Sequence, residues 1–349
     1  MATQQMEVGV LGATGTVGQQ FAHLLAGHPW FKLSWLAASQ RSEGLRYGEA
    51  AWRLATAMPD EVRDLRVDAP VAGRGPRLLF SALDSSVAGP LEAELAAAGH
   101  VVVSNARNHR MSPDVPLLVP EINPDHLSLL SEQRRARGWN GVIVTNPNCS
   151  TVFLAIVLAA LKPLLPSKVT VTTLQAVSGA GYPGVASLDI LGNVVPNIDG
   201  EEAKIESETK KILGRLRQNH VEPHDLVISA QTTRVPVVNG HTEMISVAFA
   251  DRPDRAAVLD ALASFAGVPQ KRALPTAPPH PIVYLDQADR PQPRFDVERG
   301  GGMVVHVGRL RECPVLDYKL VALGHNTVRG AAGAAVLNAE LMVAEGFLD

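Results

Sequence analysis

Cysteine is the scarcest reactive side chain in this sequence. Of 349 residues only Cys149 and Cys313 carry a thiol. Cys149 lies in Thr145-Asn146-Pro147-Asn148-Cys149-Ser150-Thr151, directly before an apolar run, Val152 to Leu165, that reads as a helix. Amides and the dipole at a helix N-terminus stabilise negative charge and draw a thiol's pKa down from about 8.5. Such a site favours a nucleophile, although a free cysteine also suits plain packing at the start of a buried helix. Cys313, between Glu312 and Pro314, has no base beside it and reads as structural.

A thiolate that attacks acyl carbon needs a proton carrier near the carbonyl oxygen, and histidine serves that role near neutrality. There are 11 histidines. His241 follows Val237-Val238-Asn239-Gly240, a turn between two strand candidates, and Arg234 ends the preceding strand. Together they offer a carboxylate clamp and a proton donor. His109 falls in a basic loop with Arg107 and reads as exposed; His23, His28, His100 and His126 read as surface residues. Arg107 can grip an anion or merely keep its loop soluble. Glu201 and Lys204, in Gly200-Glu201-Glu202-Ala203-Lys204, stand three apart on one helix face, where they can take an ammonium and a phosphate together or form an ordinary ion pair. No CxxC or HExxH occurs, so no metal is expected.

A source of hydride is suggested at the other end of the chain. A short apolar strand runs into Gly12-Ala13-Thr14-Gly15-Thr16-Val17-Gly18 and then a helical pattern. Glycines at such a junction permit the tight turn, the approach of a pyrophosphate and close helix–strand packing, with helix amides facing the diphosphate. The second strand ends in Ala38-Ser39-Gln40-Arg41-Ser42, without the acid that would hold a ribose 2′-hydroxyl. Arg41 with Ser39 and Ser42 suits a 2′-phosphate instead, so NADP is expected over NAD. A dinucleotide beside an activated cysteine points to interconversion of an acyl group and an aldehyde through a thioester.

These groups have to be held by elements the sequence also shows. Strands are expected at Val8–Leu11, Leu33–Ala38, Arg77–Leu83, Val101–Ser104 and Val142–Thr145, alternating with helices such as Pro90–Ala98, which argues for a buried parallel sheet. Beyond Thr151 come strands at Lys168–Ala176, Leu226–Val235, Glu243–Ala250 and Met303–Leu310, with helices Gly200–Arg217 and Asp254–Phe265, an α+β pattern with a mostly antiparallel sheet. The proline-dense stretch Leu274–Phe295 is expected as a surface excursion. Asn326–Leu348 is expected to be an alanine-rich amphipathic helix packing back on the first unit. The division is thus 1–148 for the dinucleotide, 149–325 for catalysis, and 326–349 for the returning helix.

Composition narrows the class. Apolar residues make up 46%, charged residues 19%, and the net charge is -3. That describes a globular protein without a basic groove for nucleic acid or an anionic membrane surface, and 5% aromatics leave no base-stacking platform. Two distant cysteines suit a reducing, cytoplasmic setting. Met1–Glu7 is polar, unlike a secretory signal, and Val152–Leu165 is too short to span a bilayer.

With these motifs assembled, the chain closely resembles the aspartate-semialdehyde dehydrogenase family over nearly its whole length. The resemblance rests on the glycine loop, Asn148-Cys149-Ser150, Gln175-Ala176-Val177-Ser178-Gly179-Ala180-Gly181, Gly200 to Lys204 with Glu208-Thr209, Arg234-Val235-Pro236-Val237 with Gly240-His241, and Asn326-Thr327-Val328-Arg329-Gly330-Ala331-Ala332-Gly333. It implies a glyceraldehyde-3-phosphate-dehydrogenase-like architecture, with a Rossmann-type NADP domain and a second domain whose sheet forms a dimer interface. It further implies Cys149 as nucleophile, His241 as acid/base and Gln175 positioning the intermediate. Arg234 would meet the substrate carboxylate, Glu201 its amino group, and Lys204 with Arg107 the phosphate, with Asn108 nearby. Ser178, Gly179 and Asn326 would join Gly12, Thr14, Gly15, Thr16, Val17, Gly18, Ser39, Arg41 and Ser42 around the cofactor.

The implied reaction reduces L-4-aspartyl phosphate to L-aspartate 4-semialdehyde, feeding lysine (through diaminopimelate), threonine, methionine and isoleucine synthesis, in a homodimer or homotetramer. Val235-Pro236-Val237 and the short loop before His241 look like the archaeal and fungal branch. Sister enzymes acting on N-acetyl-glutamyl phosphate or a malonyl thioester are the near alternatives, and Glu201 tells against an acetylated amine, which has no charge for it to meet. A non-catalytic nucleotide-binding regulator is the alternative of another class, against which Cys149 and His241 stand.

Overall fold

The computed structural model describes residues 5–348; the polar opening at 1–4 and the last residue, 349, lie outside them. The first sheet holds six strands: β1 (Met6–Leu11), β2 (Phe31–Ala37), β3 (Val67–Asp68), β4 (Leu78–Ser81), β5 (Val101–Ser104) and β6 (Val142–Thr145). Their order is β3-β2-β1-β4-β5-β6, and every pairing is parallel. β4, β5 and β6 are buried at every position, because helices cover both faces of such a sheet. The chain reverses direction across the sheet between β1 and β4. At that switch point the strand C-termini open a crevice suited to a dinucleotide.

The helices of this unit are α1 (Thr16–Leu25), α2 (Asp60–Arg63), α3 (Ser85–Ala97) and α4 (Leu129–Arg137). α3 starts five residues earlier than the pattern suggested, because Asp84 caps it by accepting from the Ser86 amide at 2.8 Å; Pro90 then lies inside the helix. β3, α2 and α4 were not expected. Their runs are short or strongly polar and lack a clear apolar period.

α5 (Thr151–Leu161) crosses to the second unit. Its other long helices are α7 (Glu201–Ile212) and α8 (Arg255–Ala263); α6 (Ser187–Ile190), α9 (Val268–Lys271) and α10 (Pro293–Asp296) are single turns. A small ribbon pairs β8 (Arg215–Leu216) with β9 (Val221–Glu222). The large sheet contains β7 (Pro166–Gln175), β10 (Val227–Arg234), β11 (His241–Phe249), β12 (Ile282–Leu285), β13 (Val305–Glu312) and β14 (Tyr318–Gly324), in the order β10-β7-β11-β14-β13-β12. The three inner pairings are antiparallel and the two outer ones parallel. The proline-dense stretch therefore supplies an edge strand, β12, with Ile282 and Leu285 buried. Its prolines flank the strand, where no ladder donor is lost.

One face of the large sheet packs under α5, α7 and α8 through residues such as Val171, Ile245, Phe153 and Leu262. Gly324 matters here, since a Cβ would stand 2.2 Å from the Phe153 ring. Burying a phenyl group contributes about 1.5–3 kcal/mol, and β14 must come this close to collect it. The opposite face is open, with Lys168, Thr170, Ser229, Gln231 and Met244 exposed.

The closing segment differs from one long amphipathic helix. Residues Val328–Ala332 form a π-helical turn, followed by α11 (Gly333–Ala344). α11 is buried on all sides from Gly333 to Met342 and packs on β5 and α1. His28, His100 and His126, expected at the surface, are buried too. His28 Nε2 lies 2.8 Å from Glu340 of α11, so this histidine ties the returning helix to the first unit.

Candidate active site

A cleft of about 940 Å³ runs from the glycine loop to Cys149, along the C-terminal ends of β1, β4, β5 and β6. Gly12 adopts φ +72°, and a Cβ there would meet the Ala82 carbonyl at 2.5 Å. Gly18 faces away from the cleft; its missing Cβ admits the Gly12 carbonyl, so its part is packing rather than lining. Gly15 has nothing closer than 3.4 Å, so its backbone opens to the cleft with Thr14, Thr16 and Val17. No side chain caps α1 and its first turn holds no acid, leaving the helix amides available to an anion. Ser39 and Arg41 line the same wall, and Ser42 lines an adjoining cleft of about 640 Å³. These features fit a pyrophosphate and a 2′-phosphate.

At the far end Cys149 Sγ lies 3.3 Å from His241 Nε2. The Ala176 amide donates to His241 Nδ1 at 3.0 Å, which leaves Nε2 to carry the ring proton and face the sulfur. Burial, followed by the charge of Arg234, pushes His241 down to about 3. The imidazole is therefore neutral. Burial and, next, the Glu201 carboxylate push the Cys149 thiol up to about 12, against Arg110, Arg234 and the Ser150 amide. The expected lowering at the helix start is reversed, because desolvation at the inner end of the cleft together with the Glu201 carboxylate outweighs one helix terminus.

Asn148 fixes the nucleophile's backbone. Its Oδ1 accepts from the Ser150 and Thr151 amides at 2.9 and 3.2 Å, its Nδ2 donates to Glu201 at 2.5 Å, and its own amide donates to Glu208 at 2.6 Å. Glu208 is buried, and its other oxygen takes Arg110 at 3.0 Å. One turn further, Lys211 donates to the carbonyls of Arg110, Ser112 and Val115. Burial draws the Lys211 ammonium down to about 8. Glu201, Lys204, Glu208 and Lys211 thus form one face of α7, spaced three, four and three apart.

Around the sulfur stand further groups. Lys204 Nζ meets Glu201 at 3.0 Å. Arg234 is buried and donates to the Ala176 carbonyl at 2.7 Å. A Cβ on Gly179 would lie 2.8 Å from the Arg234 guanidinium and 3.0 Å from the His241 ring. Asn326 accepts from the Gly240 amide and donates to Ser178 Oγ, both at 2.8 Å, pinning the turn before His241 to the 178 loop. Gly330 approaches so closely that a Cβ would stand 2.8 Å from that of Cys149.

Among the expected residues, Arg107, Ser178, Gly179, Glu201, Lys204, Arg234 and Asn326 line the cleft. His241 and Gln175 are buried immediately behind its wall, and Gln175 Nε2 lies 3.5 Å from Glu201. Asn108 is not among the residues lining the cleft; it donates to the carbonyl of Ser85, which does line it, at 3.0 Å and fills the space that Gly89 leaves. His109 is not freely exposed either, since its Nε2 lies 3.1 Å from the Gly89 carbonyl. From sequence, Arg110 and Lys211 carry no expected role, and Glu208 enters only as part of the motif on which the family resemblance rests. The helical period of α7 carried the signal for the last two, whereas nothing in the loop marked Arg110 as the cation turned inward.

Comparison with known proteins agrees along the whole chain. Residues 7–130 match the family described as "Semialdehyde dehydrogenase, NAD binding domain", and residues 158–329 match "Semialdehyde dehydrogenase, dimerisation domain". The aspartate-semialdehyde dehydrogenase of Methanothermobacter thermautotrophicus is 51% identical over 97% of this chain and 99% of its own length. The crystal structure of the Candida albicans aspartate semialdehyde dehydrogenase with NADP superposes with a TM-score of 0.90 at 42% identity, covering 98% of this chain and 99% of that one. A malonyl CoA reductase (NADP) of Metallosphaera sedula is 41% identical over 99% of this chain and 98% of its own. Identity at this level over two matched domains and a complete cleft makes the chain a member of the aspartate-semialdehyde dehydrogenase family.

Proposed function

We propose that this chain is an NADP-dependent aspartate-semialdehyde dehydrogenase, reducing L-4-aspartyl phosphate to L-aspartate 4-semialdehyde with release of phosphate. The observation that carries this is the Cys149–His241 pair at 3.3 Å, placed at one end of a cleft whose other end is an uncapped, acid-free helix start with Ser39 and Arg41 beside it.

The residues divide the work by chemistry. Arg234 takes the substrate carboxylate and Glu201 its ammonium, while Lys204 and Arg107 hold the phosphate. Arg110, buried and lining the same cleft, adds positive charge beside them. A substrate ammonium beside Glu201 offsets the carboxylate that raises the Cys149 thiol, so that end of the substrate assists ionisation of the sulfur. The Cys149 sulfur attacks the acyl carbon, the C–O bond to phosphate breaks, the departing phosphate carries off the thiol proton as hydrogen phosphate, and a thioester to Cys149 remains. A reduced nicotinamide, when bound, supplies the hydride for that thioester. His241 offers its Nε2–H as a hydrogen bond to the carbonyl oxygen as it gains charge, and that oxyanion collapses to the aldehyde as the C–S bond breaks and Cys149 leaves as thiolate. Gln175, behind the wall, keeps the thioester's acyl end oriented. Gly12, Thr14, Gly15, Thr16 and Val17 hold the pyrophosphate; Ser178, Gly179 and Asn326 hold the nicotinamide end.

The test is phosphate-dependent reduction of NADP with aspartate semialdehyde, the reverse reaction. Cys149→Ala is expected to abolish it while leaving NADPH binding by fluorescence within about twofold of wild type; turnover in that variant excludes the covalent route. The similarity to a malonyl CoA reductase supports a second reading, acyl-CoA reduction. Rates with aspartyl phosphate and malonyl-CoA decide between them, and preference for the thioester replaces the first reading.

The unit boundaries we adopt are 1–148, 149–325 and 326–349. The open face of the large sheet, with Val227 and Met244 exposed among polar neighbours, supports a homo-oligomer, dimer or tetramer, that pairs subunits across it. No helix among the described residues is long and apolar enough to cross a membrane; the two free cysteines support a reducing, cytoplasmic setting.

A further inference from the structure

The adjoining cleft of about 640 Å³ shares Thr14, Gly15, Thr16, Ser39 and Arg41 with the main one. Its outer wall is built from segments far apart in sequence, and Arg53 meets Tyr182 there. The guanidinium of Arg53 stands 4.0 Å from the centre of the Tyr182 ring, so a side chain from the segment between β2 and β3 lies against one that follows β7, the second unit's first strand.

The placement of Arg53 is built. Gln19, fully buried in α1, donates to the Ala51 carbonyl at 2.8 Å and accepts from the Arg53 amide at 2.7 Å. The loop is therefore stapled to the helix whose first turn faces the cleft. Among the described residues no carboxylate forms an ion pair with Arg53. Glu49, the acid in that lining, already accepts from the Arg46 amide at 2.9 Å. A guanidinium held over a ring face by the cation–π attraction keeps N–H donors available for a phosphate. The glycine loop and α1 amides serve the pyrophosphate, whereas Ser39, Arg41 and Ser42, after β2, mark the ribose end.

We infer that Arg53 is a second guanidinium for the 2′-phosphate of the dinucleotide, with Tyr182 a positioning residue that acts through it. This rests on the NADP reading above. It adds a specificity-determining group supplied jointly by both units, so preference for the phosphorylated cofactor depends on the 182 loop lying across the cleft.

The probe is adenosine 2′,5′-bisphosphate, with adenosine 5′-monophosphate as control, titrated calorimetrically into the full chain without substrate. Wild type is expected to prefer the bisphosphate. Arg53→Gln weakens the bisphosphate about tenfold, the scale of one charge-assisted contact, and leaves the monophosphate unchanged. Arg53→Lys restores part of the loss. Tyr182→Leu weakens the bisphosphate in the same direction, and the double variant is no weaker than Arg53→Gln alone, as a residue acting through Arg53 requires. Unchanged bisphosphate affinity in Arg53→Gln, or equal weakening of both ligands, overturns the inference while wild-type preference persists. Absence of preference in wild type overturns the NADP reading itself. Both side chains are exposed, and thermal melts of each variant confirm the fold.

Discussion

His241 is held neutral by enclosure, and that state has consequences for both catalysis and stability. An unfolded histidine takes up a proton below about 6.5, whereas this one resists until about 3. Between those values the unfolded chain binds more protons than the folded one, so stability falls as pH falls through that window. At pH 5 the loss from this residue is about 2 kcal/mol. His241→Asn should therefore lose less melting temperature than wild type between pH 7 and pH 5; an equal drop would show that the ring is already charged. Glu201 acts on the neighbouring thiol. It is the second cause holding Cys149 protonated, so Glu201→Gln should move the pH profile of iodoacetamide alkylation at Cys149 to lower pH. A profile unmoved or shifted upward contradicts substrate-assisted ionisation.

At the scale of elements, α7 does what no single residue can. Its Glu201–Lys204–Glu208–Lys211 face reaches both the loop that carries Cys149 and the loop that carries Arg110. Glu208→Ala leaves a buried guanidinium and the Asn148 amide without their acceptor. The cost should be about 3–5 kcal/mol in denaturant unfolding, as for other broken buried pairs. Glu208→Gln keeps an acceptor for Asn148 and should recover part of that stability while leaving Arg110 uncompensated. Without the carboxylate, Arg110's charge should then draw alkylation of Cys149 to lower pH. Recovery of stability with a wild-type alkylation profile would mean that Glu208 merely packs. Much of this architecture was legible beforehand. Val101–Ser104 and Val142–Thr145 announced themselves as uninterrupted apolar runs, and Cys149, Glu201 and His241 by their settings. β14 was not legible, because Tyr318–Gly324 mixes Lys319, Ala322 and Gly324 into its run and its neighbours in the sheet come from distant sequence. Likewise the inward turn of Arg110 depends on Glu208, nearly a hundred residues away.

On the scale of the molecule, the catalytic cleft is completed by the last part of the chain. Arg329 and Glu121 form a buried ion pair at 2.7 Å, next to the glycine that lies against Cys149. Arg329→Met strands a buried carboxylate and should cost about 3–5 kcal/mol in denaturant unfolding, with loss of turnover in proportion to the folded fraction. Turnover per folded molecule lower than wild type would show that the pair also sets the position of Gly330. A neutral stability effect would mean that Glu121 is satisfied elsewhere.

The close approach of Gly330 to Cys149 also bears on biosynthesis. Residue 149 leaves the ribosome about 180 residues before its cover does, at roughly 5–20 residues per second. For that interval of some tens of seconds the thiol lacks the partial burial that later holds it protonated, and it is more open to oxidants and stray acyl donors than in the finished cleft. A nascent chain stalled before residue 330 should therefore label more readily with a thiol reagent than the finished protein. The same glycine that admits the nucleophile to its working position makes completion of translation the event that shelters it.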